Sequence, residues 1–159
     1  MTSLLAFFQW CEQSHIGDLI RRSPWLFPAI EAIHLLGLGF IGGAVLIVDL
    51  RLLGFGLRRQ SVAQLSRDAQ PWLVGSLIVM IITGGLLFTS EAIKCYYHGA
   101  FWFKMASLLL AIVFTFTVQR RVVMADETRL APLWSKVVAV VSVLLWSGVG
   151  IGGRWIGFS

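Results

Sequence analysis

The chain has 159 residues, of which 57% are hydrophobic and 13% charged, with a formal net charge of +5. Soluble domains carry about 25% charged residues, so this composition excludes a soluble monomer, and the length corresponds to a single domain. The 13 Lys and Arg residues fall in short clusters beside apolar runs rather than on one tail or face. That pattern excludes a nucleic-acid partner and reads as membrane topology, with the lipid bilayer as the first partner.

Residues 1–22 have no basic leader, and no small-residue cleavage site follows LLAFFQW, so the segment reads as retained. Leu4, Leu5, Phe7, Phe8, Cys11, Ile16, Leu19 and Ile20 recur at roughly helical spacing. This predicts an amphipathic helix lying in the membrane interface.

Residues 23–159 then read as one bundle. A spanning helix needs about 20 mostly apolar residues at ~1.5 Å each, and such runs occupy about residues 25–50, 71–90, 100–118 and 133–153. Pro28 and Pro71 stand where a helix start tolerates proline. The short connections predict antiparallel neighbours, giving an all-α, up-down four-helix membrane bundle. Arg51, Arg58, Arg59 and Arg67 mark one polar loop, and Arg120, Arg121, Arg129 and Lys136 the other. Arg21, Arg22, Lys94, Lys104 and Arg154 are spread over the opposite side. The excess predicts cytoplasmic loops, with both termini outside. Gly39/Gly43 and Gly148/Gly152 are small-xxx-small pairs, which predict close helix approach inside the bundle, with homodimerisation as the alternative.

The first span carries Glu31 and His34, three residues apart and therefore on one helix face. Intramembrane ionisable groups normally face a bundle interior or polar cavity. Counting from Pro28 puts His34 ~9 Å into the span. Lys104 and Met105 begin the third span on the same side, where Glu91, Lys94, Cys95, His98 and Arg154 also gather, with Thr83 in reach. This one-sided polar layer is the functional pointer.

Three chemistries suit such a layer. The first is a metal or haem centre on facing helices, with His34 as ligand and His98 or Met105 as the second axial ligand. Lys104 and Arg154 would then meet anionic groups, and Glu31 would set the imidazole tautomer. His34 and His98 are the metal-ligand candidates, and no CxxCH attachment motif is present. The second is a charge lock, Glu31 against Lys104 or Arg154, in a non-enzymatic scaffold or assembly subunit. The third is a small metal or proton transporter, for which four short helices leave little room. A plain structural role, in which His34 hydrogen-bonds Glu31 or a backbone carbonyl, stands beside all three. Cys11 and Cys95 read either as a disulfide stapling the first helix to the second loop, or as separate thiols. A copper site from Cys95, His98 and a methionine is under-specified.

Several motifs together carry a resemblance: Pro28-x-x-Glu31-x-x-His34, Asp49-Leu50-Arg51-Leu52-Leu53-Gly54, Thr83-Gly84, Phe101-x-x-Lys104 and Gly153-Arg154. Over about residues 20–156 the chain resembles a family of small bacterial four-helix membrane proteins of unassigned function. More distantly, it resembles the cytochrome b561-like and copper-resistance-D-like bundles. That resemblance implies a bacterial membrane protein with His34 as ligand candidate, while the second ligand histidine of those cytochromes has no clear counterpart. Together with the charge bias, the expected place is the inner membrane, multi-pass, with both termini periplasmic. The expectation is a haem b-binding or quinone-interacting electron-transfer module near the periplasmic face. It would be an accessory subunit rather than a stand-alone enzyme, working with other membrane redox subunits or as a homo-oligomer.

Overall fold

A computed structural model describes residues 2–55, 59–125 and 132–156. Every regular element among them is helical: α1 (Thr2–Glu12), α2 (His15–Arg22), α3 (Leu26–Leu53), α4 (Val62–Ser90), α5 (Ala92–Tyr97), α6 (Gly99–Phe114), a π-helical turn (Thr115–Gln119), α7 (Arg120–Met124) and α8 (Pro132–Ile156). Among the described residues, four stretches are long and apolar enough to cross a membrane: Leu26–Leu53, Val62–Ser90, Gly99–Met124 and Leu133–Ile156. Their outward side chains, such as Leu36, Ile81, Leu109 and Leu144, are exposed. A helix that is apolar on both its inner and outer faces belongs in lipid, so this is a multi-pass membrane bundle.

The helix ends follow from local chemistry. Gly54, at φ 93°, closes α3. Its N–H bonds the Arg51 carbonyl at 3.1 Å, while the Phe55 N–H bonds Leu50 at 2.9 Å, a pairing that requires a left-handed residue. Ser61 caps α4, its hydroxyl accepting from the Gln64 N–H at 3.2 Å. That cap starts the helix at Val62, well before Pro71, where composition placed the start of the second span. Pro71 therefore lies inside α4. It deprives the Arg67 carbonyl of its helical donor, and Arg67 is exposed, so water can take over that bond. The α6–π–α7 helix likewise runs past residue 118, carrying polar residues beyond the apolar run.

α3 packs against α4 and α8, and α8 packs against α6, whereas α4 and α6 hardly touch along their lengths. One face of the bundle carries α1, α2, α5 and the end of α8 (the terminal face), and the other carries the connection after α3 (the loop face). The core is Ile41, Val45, Met80, Ala111, Trp146 and Val149. With lipid outside, close packing rather than hydrophobic expulsion holds such helices together. Gly148 and Gly152 supply it for α8: a Cβ at Gly148 would meet Ser107 Oγ at 3.3 Å, and one at Gly152 the Phe103 ring at 3.2 Å. Gly39 and Gly43 do not. A Cβ at either meets nothing within 4 Å, because both glycines line an open groove of about 350 Å³ between α3 and α4, beside Leu65 and Trp72.

The N-terminal segment is two helices rather than one, broken where Ser14 accepts from the Gly17 N–H at 3.2 Å. It is packed onto the bundle. Phe8 and Cys11 are buried with Ala92 and Cys95, and Gly17 lies against the Thr89 backbone. Arg21 clasps the joint, donating to the carbonyls of Ser90 at 3.0 Å and Glu12 at 2.8 Å. The Glu12 carboxylate in turn accepts from the Ile93 N–H at the start of α5, an anion at a helix N-terminus.

Candidate functional site

Because α4 and α6 diverge under the α5 cap, the terminal half of the bundle encloses a cavity of about 520 Å³. Its walls bring together Glu31 and His34 from α3, Glu91 and Cys95 from the α4–α5 corner, Lys104 from α6 and Arg154 from α8, with Phe27, Phe88 and Phe101 between them.

His34 is the centre of this arrangement and is only 8% exposed. Its Nδ1 lies 2.9 Å from Thr83 Oγ1. The Thr83 hydroxyl donates its one proton to the Val79 carbonyl at 2.7 Å, so toward the imidazole it accepts. Nδ1 therefore carries the hydrogen and Nε2 the lone pair. Lys104 Nζ stands 3.5 Å from that Nε2, donating toward it. Thr83, not Glu31, orients the ring, although Glu31 shares the cavity. Gly84 leaves room for it: a Cβ there would come within 3.1 Å of His34 Cε1. A Cβ at Gly153 would make only ordinary contact with Lys104, whose Nζ lies 3.4 Å from that position.

The other two residues expected in the site are elsewhere. His98 ends α5 and caps α6, its Nδ1 accepting from the Ala100 N–H at 3.3 Å, and it does not line the cavity. Met105 is 44% exposed on the outward side of α6, one residue and ~100° of helix rotation past Lys104. No group of three His, Cys, Asp or Glu residues that could hold a metal ion occurs among the described residues. Cys11 and Cys95 are free thiols, both buried. Burial, and then the neighbouring Glu91 carboxylate, push the Cys95 thiol up to about 11.

A second polar cluster, which composition did not suggest, lies toward the loop face. Asp49 and Ser142 are fully buried and Gln119 is 4% exposed. The signal was present in part. Asp49 continues the buried stripe of α3 through His34, Gly37, Ile41, Val45 and Val48, but its place beside Arg51 reads as the end of a span. Gln119 and Ser142 gave no warning, being single polar residues in apolar runs.

A family model, DUF6644, described as a family of unknown function, matches residues 7–159. No curated protein and no solved structure matches the chain.

Proposed function

The chain belongs to the DUF6644 family, and we propose that it is a quinone-interacting module of the bacterial inner membrane, its cavity taking the carbonyl head group of a lipid-soluble quinone at the periplasmic side. The observation that carries this reading is the pair formed by His34 Nε2 and Lys104 Nζ, 3.5 Å apart on the wall of the cavity. An ammonium donates to a quinone carbonyl, and an imidazole lone pair accepts from a quinol hydroxyl. One pair of side chains thus serves both redox forms. Phe27, Phe88 and Phe101 suit the faces of a flat ring, and the divergence of α4 from α6 gives an apolar tail a way into the bilayer. A quinone takes up two electrons and two protons on becoming a quinol. On the way back, His34 Nε2 can take the proton of the quinol hydroxyl it faces and pass it on, the second proton leaves to water at the cavity mouth, and both electrons go to a partner redox subunit of the membrane.

Haem b suits these donors less well. An iron would need the same Nε2 lone pair that Lys104 faces, and neither His98 nor Met105 stands opposite as a second axial ligand. The distant likeness to cytochrome b561-type bundles therefore extends only to His34.

The count of basic residues supports the topology. The two polar loops carry Arg51, Arg58, Arg59, Arg67, Arg120, Arg121, Arg129 and Lys136, against Arg21, Arg22, Lys94, Lys104 and Arg154 on the terminal side. That excess favours cytoplasmic loops and periplasmic termini.

The test is calorimetric titration of the detergent-purified full chain with short-tailed ubiquinone and menaquinone analogues, beside an absorption spectrum. Saturable binding that falls at least tenfold in His34→Ala and in Lys104→Met is expected. A Soret band from the purified protein, or no binding above a detergent blank, overturns the reading.

A further inference from the structure

The cluster at the loop face has an unusual hydrogen-bond balance. Gln119 Nε2 donates to Asp49 Oδ1 at 2.7 Å. Three oxygens on three different helical segments then lack a well-aligned hydrogen bond, Asp49 Oδ2, Gln119 Oε1 and Ser142 Oγ, with the Ser142 hydroxyl beside the Asp49 carboxylate. All three belong to side chains at least nine-tenths buried. Buried polar atoms are nearly always satisfied, and each exception asks for an explanation.

The backbone is shaped to place one of them. The π turn Thr115–Gln119 inserts an extra residue into the helix, as such turns often do at functional sites. Trp146 Nε1 fixes its start by donating to Thr115 Oγ1 at 3.1 Å. The register change turns the Gln119 amide toward α3. Beside it a smaller cavity of about 50 Å³ touches Thr115 and Gln119 and reaches Ser66, Gln70 and exposed Arg120. That is room for water, which needs ~10–15 Å³.

We infer that Asp49, Gln119 and Ser142 form a binding site for one small monovalent cation, sodium or the proton, reached from the loop face. A carboxylate, an amide carbonyl and a hydroxyl are hard oxygen donors of the kind that alkali and alkaline-earth cations take. The charge of the occupant follows from the single carboxylate. One positive charge leaves the cluster neutral, whereas a divalent ion would bury an uncompensated charge in an apolar bundle. Asp49 is the only titratable member of the cluster, and the described neighbours that act on it, Gln119 from the π turn and Ser142 from α8, do not titrate. This site stands apart from the larger cavity and does not depend on what that cavity binds.

Thermal unfolding of the detergent-purified full chain, in sodium chloride against choline chloride and across a pH series, tests the inference. A ligand that binds only the folded state raises Tm with its concentration. With sodium as occupant, the wild-type Tm rises with the logarithm of sodium concentration, and Asp49→Asn abolishes the rise. With the proton as occupant, Tm ignores sodium, and Asp49→Asn removes a pH dependence that the wild type shows. Ser142→Ala shifts the midpoint of either dependence, and it carries the same readout if Asp49→Asn fails to fold. A wild-type Tm indifferent to both ions overturns the site. So does a dependence that survives unchanged in the variants, which would leave the three side chains as a closed structural contact.

Discussion

His34 and Thr83, 49 positions apart in the chain, are joined by a 2.9 Å hydrogen bond whose direction is set by a third group, the Val79 carbonyl that takes the Thr83 proton. The relay fixes which imidazole nitrogen faces the cavity. Thr83→Val strands the Nδ1–H in an apolar wall, and leaving a buried donor unpaired costs about 1–3 kcal/mol. A lower Tm and weaker quinone-analogue binding are expected together. Thr83→Ser keeps the oxygen and should restore both.

Gly84 and Gly85 are adjacent but unequal. A methyl group at Gly84 presses on the imidazole at 3.1 Å, whereas one at Gly85 meets nothing within 4 Å. Gly84→Ala should reduce ligand affinity severalfold by tilting His34, while Gly85→Ala binds like the wild type. Equal affinities, measured by the same titration, would remove the ring contact from the account.

The two small-residue pairs separate in the same way. Gly152→Leu must push the Phe103 ring and Lys104 aside, and overpacking of this kind costs about 1–3 kcal/mol. Gly43→Leu points into open space and should leave Tm unchanged within error. Thermal unfolding of the two variants side by side checks the contrast.

The Cys95 thiol, at about 11 against an ordinary value of 9.0, stays protonated where an unfolded thiol ionises. Alkylation of the folded protein at pH 8 should therefore be slow, because the thiolate is the nucleophile. Between about pH 9 and 11 the unfolded chain releases a proton that the folded one keeps, so stability falls as pH rises through that window. Cys95→Ala should flatten the fall, as pH-dependent unfolding can show. Glu91→Gln should bring the titration down and speed labelling.

The cavity was legible in the sequence where helix geometry alone decides position. Glu31 and His34 share a face by spacing, and Lys104 and Arg154 enter at matching depths from their own helix ends. His98 and Met105 lie on the expected segments but outside the cavity, because the direction of each side chain depends on finer details. A cap takes up one imidazole nitrogen of His98, and a single residue of rotation separates Met105 from Lys104. Asp49 was hidden by its neighbour Arg51, which reads as a loop charge, and the π turn that aims Gln119 leaves no mark in composition. The fold, by contrast, follows from run length and loop length, with the helix ends corrected by the Ser61 cap and by the polar extension of α4 ahead of Pro71.

Between the His34 pair and the Asp49 cluster lies the core layer of Ile41, Val45, Met80, Ala111, Trp146 and Val149. Its indole N–H is already committed to Thr115, and the aliphatic side chains carry neither donor nor acceptor for a hopping proton. The slab is therefore a barrier to proton relay. Ionisable groups at the two ends of the bundle can change charge independently, without a water wire draining one into the other.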